Sequence, residues 1–150
     1  MKNTRQTVVR MIIVLLALTG AALYMFLGSV SVSLGKDSIT VSGTLSTDVT
    51  LQYSDIKTFE LQKRIDTGMC SFGLTTRKTS TGYYSSATYG PYNLFIYKNV
   101  KRFIILKTPD AVIIFNCPSE DETVKCFEDI SENIQKSIEQ SAETTTQQDS

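Results

Sequence analysis

The chain of 150 residues contains no histidine and no tryptophan, and only three cysteines and three prolines. Without histidine it lacks both the side chain that most often acts as general base near neutral pH and the commonest metal ligand. Cys70, Cys117 and Cys126 are too widely spaced for a Cys-Xaa-Xaa-Cys metal pair. No glycine-rich phosphate loop, Gly-Xaa-Ser-Xaa-Gly elbow or metalloprotease motif occurs. These absences point away from an enzyme, and no cofactor or metal is expected. A thiol enzyme would need an activating neighbour for Cys70 that only folding can supply. Asp55 and Asp66 sit where turns or caps are expected, so each reads as structural.

Acidic residues are also missing from the start of the chain, where the first is Asp37. Lys2, Arg5 and Arg10 precede an apolar block from Met11 to Leu27, and the uncharged run continues to Gly35. A helix of roughly 17 to 25 residues spans a bilayer core, so this block predicts a transmembrane helix over 11–34, with 1–10 as a basic N-terminus. Basic residues favour the cytoplasmic side, and only Lys36 follows the block closely. The predicted topology is a single-pass protein in the cell membrane, with a cytoplasmic N-terminus and an extracytoplasmic C-terminal domain. The competing reading is a cleaved signal, for which Ser29-Val30-Ser31 offers a small-residue context. Cleavage there would leave a secreted β domain beginning near Val32. A buried core helix is disfavoured by the block's length and its lack of a polar face.

Setting the three N-terminal cations aside leaves 12 basic and 15 acidic residues from Lys36 onward. A mildly acidic domain argues against a nucleic-acid partner, whose phosphates need a basic face. An exported domain more often carries an even set of cysteines. Cys117 and Cys126 can pair across a turn, or all three can be small buried hydrophobes.

Beyond the apolar block, short stretches of β-branched and aromatic residues are separated by Gly, Asp, Asn and Ser, which predicts consecutive strands. Ile39 and Val41 alternate with small polar residues; Gly43 to Asp48 forms a turn; Val49, Leu51 and Tyr53 continue the two-residue period; Phe59 and Leu61 mark a third strand. Cys70, Phe72 and Leu74 suggest another strand, and so does the segment from Tyr83 to Tyr89. Arg77 to Gly82 reads as an exposed loop between them. Tyr92, Leu94 and Ile96 then share a face, Asn99 marks a turn, and Phe103–Leu106 and Ala111–Phe115 flank Pro109-Asp110 as a hairpin.

The final element is a helix. Ser119 and Glu122 match a capping box, Pro118 precedes them, and Val124, Phe127, Ile130, Ile134 and Ile138 form one apolar stripe. The domain is therefore expected over 36–140, with a polar, disordered tail over 141–150.

This order resembles the pleckstrin-homology-like domains of bacteria that follow a transmembrane segment. The resemblance lies in Asp37-Ser38-Ile39-Thr40-Val41-Ser42-Gly43, the Tyr53-Ser54-Asp55-Ile56 step, the strand from Gly90 to Ile96, and Ile113-Ile114-Phe115-Asn116 with its Ser119-capped helix. It covers roughly 36–134. It implies a mainly β fold, a bent sheet or partial barrel of about seven strands closed by the C-terminal helix. Eukaryotic members hold phosphoinositides with basic residues after the first strand, whereas Gly43 to Asp48 contains no Lys or Arg.

The functional expectation is a membrane-anchored, non-catalytic interaction or scaffold domain whose partner is a protein or a second copy. Tyr83, Tyr84, Tyr89 and Tyr92, in a stretch rich in Gly and Ser, have the composition of a recognition surface; they are equally good strand formers. Arg77 and Lys78, with Lys98, Lys101 and Arg102 near the late hairpin, are candidates for anionic lipid or cell-surface ligands. Scattered surface charge explains them as well.

Overall fold

The computed structural model describes residues 2–148, with side chains described for 6–23 and 28–140. Helix α1 (Lys2–Leu27) is followed by nine strands: β1 (Val30–Leu34), β2 (Ser38–Gly43), β3 (Val49–Gln52), β4 (Thr58–Gln62), β5 (Met69–Thr75), β6 (Thr79–Ser86), β7 (Gly90–Tyr97), β8 (Phe103–Lys107) and β9 (Val112–Phe115). Helix α2 (Glu120–Gln148) closes the described chain. The fold is mainly β, as expected, with an N-terminal apolar helix and a C-terminal helix.

The strands form two sheets rather than one barrel. Antiparallel β1-β2-β3 make a three-stranded sheet, and a six-stranded sheet runs in the order β4-β8-β9-β7-β6-β5. All pairings in the larger sheet are antiparallel except β7 with β9. The β8–β9 hairpin predicted across Pro109-Asp110 is present, with Ile105 opposite Ile114.

The continuous apolar runs of β8 and β9 are explained by burial on both faces. Ile104, Leu106, Ile113 and Phe115 face a main core shared with Ile39, Val41 and Leu51 of the small sheet and Ile130 and Ile134 of α2. Ile105 and Ile114 face the other way, with Tyr84, Tyr92, Leu94 and Phe103. The β4–β5 segment crosses this second face: Ile65 packs on it, and the Tyr92 hydroxyl donates to the Thr67 carbonyl at 2.7 Å. Asn116, fully buried, accepts from the Tyr97 amide at 2.6 Å and donates to the Tyr97 carbonyl at 3.1 Å, joining the end of β7 to the chain beyond β9.

Four expectations are corrected. The predicted span over 11–34 is too long, because the helix stops at Leu27 and Val30–Leu34 pairs with β2 as a strand. Its alternation of Val30, Val32 and Leu34 with serines is the period of a half-buried strand. The described strands number nine where about seven are expected, and the one that the sequence pattern hides is β1, whose residues continue the uncharged run of the apolar block. The loop read over Arg77–Gly82 shrinks to a tight turn, because Thr79, Ser80, Thr81 and Gly82 are buried in β6. Threonine fills that interface with its hydroxyl satisfied: Thr81 donates to the Thr44 carbonyl at 3.0 Å. Finally, α2 continues past Gln140 to Gln148, into the segment read as a tail, with no Gly or Pro to end it. Asp149 and Ser150 lie outside the described residues.

The predicted cap is present. The Ser119 hydroxyl accepts from the Glu122 amide at 3.2 Å and donates to the Glu122 carboxylate at 3.1 Å.

Candidate interaction surface

β5 is an edge strand, paired only with β6. From Gly68 to Thr76 it carries no charge. Proteins usually protect such an edge with Lys, Pro or bulges, because its free N–H and C=O groups template pairing with another chain; β5 has no Lys or Pro and carries a single bulge. Here the register shifts between Cys70 and Phe72, so Cys70 lies opposite Tyr84 and Phe72 opposite Tyr83. The bulge undoes the simple alternation of Cys70, Phe72 and Leu74. It turns Phe72 away from Cys70 and onto the face of Tyr83.

The result is an apolar patch in water. Met69 is 77% exposed, Phe72 76% and Tyr83 45%. Of the four tyrosines singled out by composition, Tyr83 alone belongs to this surface. Tyr84 and Tyr92 are corrected to core residues: both are buried, with ring centroids 6.1 Å apart. Tyr89 is half-buried against Tyr92 at 5.7 Å and donates its hydroxyl to Gln62 at 3.2 Å. Burial pushes the Tyr92 phenol up to about 12, assisted by the Asp66 carboxylate and by Tyr84, and it raises Tyr53, Tyr84 and Tyr89 as well.

The candidate cations separate into two groups. Arg77 and Lys78 form the exposed β5–β6 turn, and Lys98 is tied to it: its amide donates to the Lys78 carbonyl at 2.8 Å and its ammonium to the Thr76 carbonyl at 3.0 Å. Lys101 and Arg102 instead line a cavity of about 680 Å3 with Lys63 and Arg64. Sequence reading missed Lys63 and Arg64, which lie far from Lys101 in the chain and meet it only because Gln62 pairs with Phe103. Ile65, Ile96 and Phe103 supply the cavity's apolar wall. Glu120 offsets part of its charge, 3.8 Å from the Arg102 guanidinium and accepting from the Lys101 amide at 3.3 Å.

Among the described residues no cluster of three His, Cys, Asp or Glu side chains can hold a metal. Cys70 is exposed on β5, contrary to the reading of all three cysteines as buried, because β5 is an edge. Cys126 is buried and Cys117 half-buried. The interaction between their thiols lowers Cys117 and, with burial, raises Cys126.

No protein-family model matches the chain, and neither a curated protein nor a solved structure matches it.

Proposed function

We propose that this is a single-pass membrane protein whose extracytoplasmic domain is a non-catalytic interaction module, binding an extended segment of a separate protein along β5. The observation that carries the reading is an uncharged edge strand, paired on one side only, presenting Met69 and Phe72 to water. An added strand would satisfy its free backbone groups, while the apolar patch would select alternate side chains of the incoming segment. The pleckstrin-homology-like assignment rests on the order of short strands and a Ser119-capped closing helix. The parallel β7–β9 pair is a feature outside a simple meander.

The membrane anchor is supported by α1, which is long and apolar enough over Gln6–Leu23 to cross a bilayer. Its exit supports retention over cleavage. A cut within Ser29-Val30-Ser31 would sever β1 and release Val30 from the main core. It would also break the bonds by which the Tyr97 hydroxyl accepts from the Val30 amide at 3.1 Å and donates to its carbonyl at 3.0 Å.

The helix also bears on the occupant. β5 ends on the side of the domain from which α1 leaves, beside the Thr76 and Thr79 side chains. Copies held in one bilayer with strands rising from it present β5 in the same direction, which disfavours antiparallel pairing of β5 with itself.

A photo-crosslinker placed at Met69 of the full-length chain in intact membranes tests this reading. A discrete adduct with another polypeptide, lost in Phe72→Lys, is the expected result. An adduct of two copies of this chain would replace the separate partner with self-association, and labelling of lipid alone or no adduct would sink the β5 reading. Phe72→Lys leaves thermal stability within about 0.5 kcal/mol of the parent because the side chain is already in water.

A further inference from the structure

Seven of the 12 basic residues from Lys36 onward gather at one end of the larger sheet, although nothing in the linear order groups them. At this end β4, β5, β7 and β9 finish while β6 and β8 begin. Lys63, Arg64, Lys101 and Arg102 ring the cavity of about 680 Å3. Arg77, Lys78 and Lys98 lie at the adjoining β5–β6 turn. Carboxylates at this end include Glu120, which lines the same cavity 3.8 Å from Arg102, and Asp48, beside Ser29 and Thr44; Asp121 and Glu122 follow Glu120 in the first turn of α2.

The same end receives α1. Gly28, with φ +30°, is so close to the β5–β6 turn that a Cβ there would collide with the Thr79 hydroxyl. Next to it, the Ser29 amide donates to the Thr44 hydroxyl at 2.9 Å, and the Thr44 amide donates to the Ser29 carbonyl at 3.1 Å. That pairing brings the β2–β3 turn to the helix exit. At the turn, Leu45 is 59% exposed and holds a positive φ of 55°.

We propose that this basic end is a membrane-docking face, which takes anionic lipid headgroups of the bilayer that α1 spans and inserts Leu45 at the interface. The proposal rests on the reading of α1 as a membrane helix. Polybasic attraction to anionic lipid takes clusters of 4 to 8 Lys or Arg; the folded domain assembles such a cluster where the chain meets the membrane, and in the proposed topology the leaflet that supplies the anionic headgroups is the extracytoplasmic one. The cavity, cationic at its rim and apolar along Ile96 and Phe103, fits a phosphate group with the first part of its glycerol backbone. Docking of this kind orients the domain so that the outer part of β5, around Met69 and Phe72, points away from the lipid.

The absence of tryptophan makes the test direct, because Leu45→Trp installs a single fluorophore at the proposed interface. The full-length Leu45→Trp chain is reconstituted in nanodiscs of phosphatidylcholine alone or with one third phosphatidylglycerol. The expected result is a blue-shifted, quencher-protected emission in the anionic discs only, abolished at about 1 M salt, where the screening length falls to about 3 Å. It is also lost in Arg77→Gln/Lys78→Gln/Lys98→Gln and in Lys63→Gln/Arg64→Gln/Lys101→Gln, but kept in Lys36→Gln/Lys57→Gln at the opposite end. Amide exchange over 76–79 and 98–101 provides a second readout, slower in anionic discs if the face docks. Equal emission and exchange in both lipids would overturn the proposal while leaving the anchor intact. Equal loss in the Lys36/Lys57 variant would overturn it too, as an effect of net charge. Failure of the chain to enter the discs would remove the anchor and the docking face together.

Discussion

Tyr92 shows how one residue's role depends on where the fold puts it. Its composition and neighbours suggested a recognition surface, yet the ring is buried and its hydroxyl is spent on the Thr67 carbonyl. Tyr92→Phe removes that bond and is expected to lower stability by about 0.5–1.5 kcal/mol in denaturant titration. The same residue carries a pH signature. Its pKa is raised from the ordinary 10.0 to about 12, so the folded state keeps a proton that the unfolded chain releases. This contribution is fully present below pH 10 and is lost as the pH rises to about 12. Stability should therefore fall across that interval and fall less steeply in Tyr92→Phe; an unchanged slope would assign the effect to Tyr53, Tyr84 or Tyr89, which are raised in the same direction.

Among the elements, those with strong local signals match their expectations. The start of α2 is written in Ser119 and Glu122, and Ser119→Ala should cost about 1 kcal/mol, read as a lower thermal midpoint. The hairpin across Pro109-Asp110 was equally legible, since the apolar runs of β8 and β9 are buried on both faces. β1 was not, because its uncharged residues continue the apolar block and hydropathy does not distinguish a lipid-facing helix from a strand pairing with β2. β5 was legible as a strand but not as an exposed one, because its bulge reverses the face on which Phe72 lies. A slip of one residue in a strand exchanges the buried face for the wet one.

At the scale of the whole molecule, a helix and a polar domain are joined at Gly28 with little slack between them. If α1 spans the bilayer, the full-length chain stays in the membrane pellet after washes with high salt or alkaline carbonate and is released by detergent. Release by salt would mean attachment through the basic end alone. Topology is set by charges within roughly 15–20 residues of a span, whereas Lys63, Lys98 and Lys101 are much more distant in sequence and reach the exit only after folding.

The sequence by itself determined what depends on neighbours a few residues apart: the apolar helix with its basic flank, the succession of short strands, the capped final helix, and the lack of a histidine-based site. Tertiary structure alone decided which tyrosines are buried, that β5 is an open edge, and that seven dispersed cations share one end. Those properties arise from pairings between distant segments, Gln62 with Phe103 and Thr79 with Tyr97 among them. Local periodicity specifies that a strand has two faces; the partner across the hydrogen bonds decides which one meets water.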